Sequence, residues 1–193
     1  NLFHYLSGAG QDSGMTSAGR AQAPDRNRAK VYAAEDQFSS LMNRGGKVEF
    51  FGSVLDVPTQ KRFANLESID TYMSGLFAKL NCDLFPPRTR ERKGSTKAHY
   101  EFATGVIAIP VSGQAAMWAL RETLILHECA HHVAASCAPV DEPAHGPTFT
   151  ACMLMLVETA LGDQARLLLS SGYLELGVPV GEHQEIFSHR SAT

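Results

Sequence analysis

Apolar residues recur at Val31, Ala34, Phe38 and Leu41, a helical spacing over about 30–43 that Gly45 and Gly46 bring to a stop. The next stretch, KVEFFGSVLDVP, shifts to the short period of strands and predicts a hairpin around Gly52-Ser53. Ile69, Tyr72, Met73, Leu76, Phe77 and Leu80 then restore helical spacing behind a Ser68 cap. FPPRTRERKGSTK (85–97) reads as a basic loop opened by prolines, and AHYEFATGVIAIP (98–110) as one strand closed by its proline. Ser112 can cap a long helix to about Ser136. APVDEPAHG (138–146) is a loop, Pro147 opens a helix to about Leu161, and Asp163 starts a last one to about Gly172.

This order predicts an α+β fold, a small three-stranded and mostly antiparallel sheet packed on helices, with residues 29–180 as its one domain. Residues 1–28 are polar, Gly-rich and without period, so they are expected to be disordered, with 1–14 lying upstream of a natural start at Met15. Residues 181–193 read as a tail. A chain of 193 residues can bury one proper core. Its composition, 44% hydrophobic and 19% charged, is that of an ordinary globular protein. The formal net charge of −3 gives no global footprint for nucleic acid. No apolar run is long enough to span a bilayer. Cys82, Cys129, Cys137 and Cys152 form no C-x-x-C pair, and a reducing cytoplasm is the expected compartment.

Within the long helix, LILHECAHHV (124–133) carries more polar residues than its apolar surroundings explain. His127-Glu128-Cys129-Ala130-His131 is an H-E-x-x-H sequence, and on a helix its two histidines share a face one turn apart. Two imidazoles so placed can converge on one zinc ion, which satisfies polar groups that would be costly to bury alone. Glu128 would lie beside a water held by that zinc and take its proton. A third ligand is needed. His145, in the loop before the Pro147 helix, is the favoured one, with Asp141, Glu142 and Glu158 as acidic alternatives. His132 lies about 100° around the helix from His131, outside the ligand set. Phe149 is expected to pack beneath the site.

HECAHH followed by HGPTF resembles SprT-like zincin metalloproteins, and more narrowly an actinobacterial family of uncharacterised metallohydrolases with an H-E-x-x-H motif. VYAAEDQF (31–38), FFGSVLDVPTQKRFANLESIDTYM (50–73) and LGDQARLLLSSGYLELGV (161–178) carry the narrower likeness. The resemblance implies a zincin-like fold with a central H-E-x-x-H helix, His127, His131 and His145 as zinc ligands, and Glu128 as catalytic base. It also implies that the strand near 98–109 lines a substrate cleft, where an extended peptide can add as a further strand. No zinc ribbon or DNA-binding tail is visible, so a role in DNA repair is not expected.

The basic run Arg88, Arg90, Arg92, Lys93, Lys97 has no stacking aromatic within it and reads as a solvated loop. Tyr173, Tyr100, Arg121 and His99 are, by residue type, candidates to stabilise a tetrahedral intermediate. The expected function is a zinc-dependent hydrolase, a metallopeptidase, acting on a peptide or protein and on neither nucleic acid nor membrane. The competing reading is a zinc-bound but catalytically silent binding domain. Such a site would need a fourth protein ligand, for which Cys129 and Cys137 are the nearest thiols. Cys129 points away from the histidine face. Neither the substrate nor the oligomeric state can be read from the chain.

Overall fold

The described residues of a computed structural model, 24–80, 83–93 and 97–182, form six helices and two small sheets in an α+β arrangement. Helix α1 (Arg28–Arg44) buries Val31, Ala34, Phe38 and Met42, the apolar stripe of its sequence, and with them one carboxylate, Glu35. Strands β1 (Gly46–Phe50) and β2 (Ser53–Val57) pair as an antiparallel hairpin. Its two turn residues are Phe51 and Gly52, both at positive φ, as a tight hairpin turn requires. Helix α2 (Leu66–Lys79) begins one turn earlier than a Ser68 cap would allow. Asn65 is the cap: its side chain accepts from the Ser68 N–H at 2.9 Å, and the Ser68 hydroxyl reaches back to the Asn65 backbone.

The second sheet departs from expectation in two ways. Residues 88–91, expected as loop, form strand β3 (Arg88–Glu91), and the single strand expected over 98–110 is two, β4 (His99–Glu101) and β5 (Val106–Ile109). Their order is β3-β5-β4, with β3 parallel and β4 antiparallel to β5, so the sheet is mixed rather than mostly antiparallel. An edge strand needs backbone pairing more than apolar side chains, and its charges discourage further pairing. That is why a basic run hides a strand. The fold-back between β4 and β5 ends at Gly105, at φ 67°, where the Glu101 carbonyl accepts from the N–H groups of Thr104 and Gly105.

The long helix expected from Ser112 is also two, α3 (Gly113–Ala119) and α4 (Glu122–Cys137). At the break Arg121 is extended and pairs with Arg62, while the Leu120 carbonyl accepts from the Phe63 N–H at 2.9 Å. The segment before α2 thus docks on the start of α4 and supplies the cap that Arg121 lacks. The Gln60 side-chain oxygen accepts from the Thr123 N–H at 3.1 Å and the Thr123 hydroxyl at 2.9 Å. Glu122, fully buried, accepts from the Lys61 N–H and the Lys61 ammonium, each at 2.7 Å.

Helices α5 (Pro147–Leu161) and α6 (Asp163–Glu175) complete the fold. Ten of the 15 residues of α5 are buried, too many for one face, so α5 must be covered on several sides. It packs against both α4 and α6, and α6 packs back on α1. Ile125, Leu126 and Val133 of α4, Met153 and Leu156 of α5, and Leu169 of α6 belong to one core. No helix among the described residues is long and apolar enough to cross a membrane.

Gln60→Ala leaves the Thr123 N–H buried without its acceptor. Loss of a cap of this kind should cost about 1–2 kcal/mol. The expected result is a lower urea midpoint at unchanged slope; an unchanged midpoint would mean that α4 needs no cap from outside.

Candidate metal centre

Two of the three histidines come from one helix. His127 and His131 stand one turn apart on α4, and their ring centroids are 4.8 Å apart. His145 arrives from the 138–146 loop. That loop is drawn tight by Glu142, whose carboxylate accepts from the Thr148 N–H at 2.6 Å and the Thr148 hydroxyl at 2.8 Å, capping α5. Gly146 permits this closeness, because a Cβ there would lie 2.4 Å from Glu142 Cγ. The His145 ring centroid consequently sits 4.8 Å from that of His131 and 5.3 Å from that of His127.

One nitrogen from each ring lies within 4.8 Å of the other two, so the three can hold a metal ion. All three residues are buried, and His127 Nε2, His131 Nδ1 and His145 Nε2 have no hydrogen-bond partner among the described residues. Buried nitrogens are rarely left so, and a cation bound by one nitrogen of each ring is the economical resolution. The donor set itself, three imidazoles, suits zinc and its neighbours in the first transition row. Phe149, fully buried on the first turn of α5, floors the cluster, its centroid 4.5–5.0 Å from all three rings.

Carboxylates behind the cluster set the tautomers. His127 Nδ1–H donates to Glu35 Oε2 at 2.6 Å, and His145 Nδ1–H donates to Asp25 Oδ2 at 2.6 Å. Each bond turns the lone pair of Nε2 inward, the usual device for orienting a metal-binding histidine. Glu35 is held in turn by the Tyr173 hydroxyl, which donates to Oε1 at 2.7 Å. Burial holds His131 well below the usual imidazole range, reinforced by the neighbouring His127 and His145. Burial also lowers His145, partly opposed by Asp25. For His127 burial acts downward too, but Glu35 outweighs it and leaves the ring above its ordinary value.

Glu128 is buried and faces a cleft of about 450 Å³, shared with His131 and His145. Burial pushes its carboxyl upward, against the opposing effects of His127 and of a hydrogen bond from the Tyr100 N–H. A carboxylate with raised proton affinity beside a cation site is equipped to accept a proton from water.

The remaining residues singled out in the sequence fall on either side of the cleft wall. Tyr100 and His99 line it. The Tyr100 hydroxyl, however, donates to His132 Nδ1 at 3.0 Å, since His132 Nε2–H is committed to the Phe85 carbonyl at 2.9 Å. His132 therefore ties α4 to β4 and to the segment before β3, and is no ligand. His99 Nδ1 accepts from Arg92 at 2.8 Å. Tyr173 is fully buried behind Glu35, and Arg121 sits at the head of α4 outside the cleft lining. Among the acidic alternatives to His145, Glu142 caps α5, Glu158 pairs with Arg166 at 3.2 Å, and Asp141 is exposed; none joins the cluster. Cys129 and Cys152 are buried, the Cys137 thiol donates to the Val133 carbonyl at 3.3 Å, and Cys82 lies outside the described residues.

Four residues escaped the sequence reading: Asp25, Arg28, Tyr32 and Glu35. Three of them, Arg28, Tyr32 and Glu35, follow i, i+4, i+7 spacing on α1, a polar stripe beside the apolar one. Tyr32 stacks on His127 at 5.2 Å and 24°, and Arg28 lies over the Tyr32 ring at 5.6 Å. A polar stripe alone looks like a solvated face; only the buried Glu35 within it hints otherwise.

Glu35→Gln should weaken metal binding about 10–100-fold, the usual cost of losing an outer carboxylate, and His131→Ala should abolish it. Competition with a chromophoric chelator reads both. Equal affinity in Glu35→Gln and the native chain would remove Glu35 from any part in holding the ion.

No family model matches this chain, and no curated protein or solved structure matches it either.

Proposed function

We propose that the chain is a zinc-dependent hydrolase of the metallopeptidase kind, on a zincin-like fold with α4 as its central helix. The observation that carries this reading is Glu128, a buried carboxylate facing the same cleft as His131 and His145 of the three-histidine cluster. A site that served stability alone would be closed by a fourth protein ligand and would have no use for a base. Among the described residues the cluster stops at three histidines, and Cys129 is buried outside it. Zinc in catalytic sites is held in this way, by three protein ligands with one position left for water or substrate. The resemblance of HECAHH and HGPTF to SprT-like zincins points in the same direction.

Bound at His127, His131 and His145, zinc would supply Lewis acidity, making water more acidic and an amide carbonyl more electrophilic. Glu128 takes the proton of the attacking water and returns it to the leaving nitrogen as the C–N bond breaks. The Tyr100 N–H keeps the carboxylate aimed. Tyr32 lines the cleft with its ring against His127, and its hydroxyl is the donor proposed for the oxygen that gains charge. Strand β4, at the edge of its sheet and along the cleft, offers backbone groups to an extended peptide.

Glu128→Gln should keep one zinc per chain while losing about 10²–10⁴-fold in hydrolysis of casein and a mixed peptide panel. Metal analysis and a cleavage assay on the same preparation check both halves. A native, zinc-loaded chain that cleaves nothing in the panel, or a Glu128→Gln chain as active as the native one, would defeat the hydrolase reading.

A further inference from the structure

The basic run between 88 and 97 does not act as a unit. Arg90 pairs with Glu101, and Arg88 points to solvent from β3. Arg92 and Lys97 instead line the cleft. The Arg92 guanidinium is held in place there, donating to the Lys97 carbonyl at 2.8 Å and to His99 Nδ1 at 2.8 Å. It lies near enough to Glu128 to favour the charged carboxylate.

Arg28 lines the same cleft from the α1 side, over the ring of Tyr32, where its charge is felt by His127 and His131. Two guanidinium groups therefore bracket the histidine cluster and Glu128. Among the described residues neither forms an ion pair with a carboxylate. The two carboxylates of the cleft are engaged elsewhere, Asp25 with His145 and Glu128 with the Tyr100 N–H. Among the described residues a bound anion would have no carboxylate to displace from either guanidinium. Guanidinium forks match carboxylates in plane and in spacing, and a half-enclosed cleft screens the pairing less than open water does.

We infer that the cleft selects peptides bearing an Asp or Glu side chain next to the bond presented to the cluster, with Arg28 and Arg92 as the recognising groups. That such a peptide is a substrate rests on the hydrolase reading; that it binds rests on the cleft alone. A phosphate backbone fits less well. The chain carries a net charge of −3, Arg90 is already paired, and two bracketing cations do not make a track for a nucleic-acid strand.

The test uses the 193-residue, zinc-loaded Glu128→Gln chain, so that bound peptides stay intact. Two pools of N-acetylated, C-amidated octapeptides are compared by fluorescence anisotropy, one with Asp and Glu at scattered positions, the other with Asn and Gln in their place. The acidic pool should bind about tenfold or more tightly, as charge-assisted pairs require. Arg92→Gln and Arg28→Gln should each shrink that ratio while leaving affinity for the amide pool unchanged. Equal binding of the two pools, or a preference that survives both substitutions, would overturn the inference. So would displacement of the acidic pool by a single-stranded oligonucleotide at comparable concentration. A native chain that cleaves no peptide but keeps the acidic preference would sink the hydrolase and leave this inference standing.

Discussion

Three imidazoles and a carboxylate buried on and beside an apolar helix are expensive, and the fold is arranged around that expense. Helix α4 carries Ile125, Leu126, Cys129, Ala130 and Val133 into the core on one side and His127, Glu128 and His131 on the other, so it is enclosed nearly all round. Every polar group on it must then find a partner inside the protein or in a bound ligand. Glu128 finds the Tyr100 N–H, and the outer nitrogen of His127 finds Glu35. Among the described residues Nε2 of His127 and of His145, turned inward, find no partner. A cation would satisfy them together, and the neutral state favoured for His131 and His145 keeps their lone pairs available to one.

What the sequence revealed follows from how local each feature is. The spacing of His127 and His131 is a property of one helical turn, and His145 stands two residues before the proline that opens α5, so all three could be read directly. Glu35 is 92 residues from the histidine it supports, and Asp25 is 120 residues from His145. No periodicity encodes such a pairing. The break between α3 and α4 escaped for the same reason: it exists because residues 60–63 dock there, and residues 113–137 alone look like one helix. Strand β3 was hidden differently. Its pairing with β5 is made by the backbone, while its arginines gave the composition of a loop.

Residue type without position does not say where a side chain is engaged. Tyr173 and Tyr100 both looked suitable to stabilise a transition state, yet one hydroxyl is spent on Glu35 behind the cluster and the other on His132. Tyr32, which stacks on His127, was overlooked because its helix was read for its apolar stripe. In the structure the less regular face of α1 faces the histidine cluster, and the regular face holds the helix to the core.

That division of α1 has a consequence for how the site is made ready. Val31, Ala34, Phe38 and Met42 anchor the helix in apolar packing that does not depend on any ion. The same anchoring fixes Glu35 against His127 and Tyr32 against its ring. The first turn of α1 and the residues before it hold Arg28 and Asp25 beside the cleft. The ring orientations are therefore supported by the hydrophobic core before a metal arrives. An ion entering such a site has little left to organise, so more of its binding energy appears as affinity. A core stripe on one face of a single helix and a ligand-orienting stripe on the other thus make the stability of the fold and the readiness of the site two readings of the same packing.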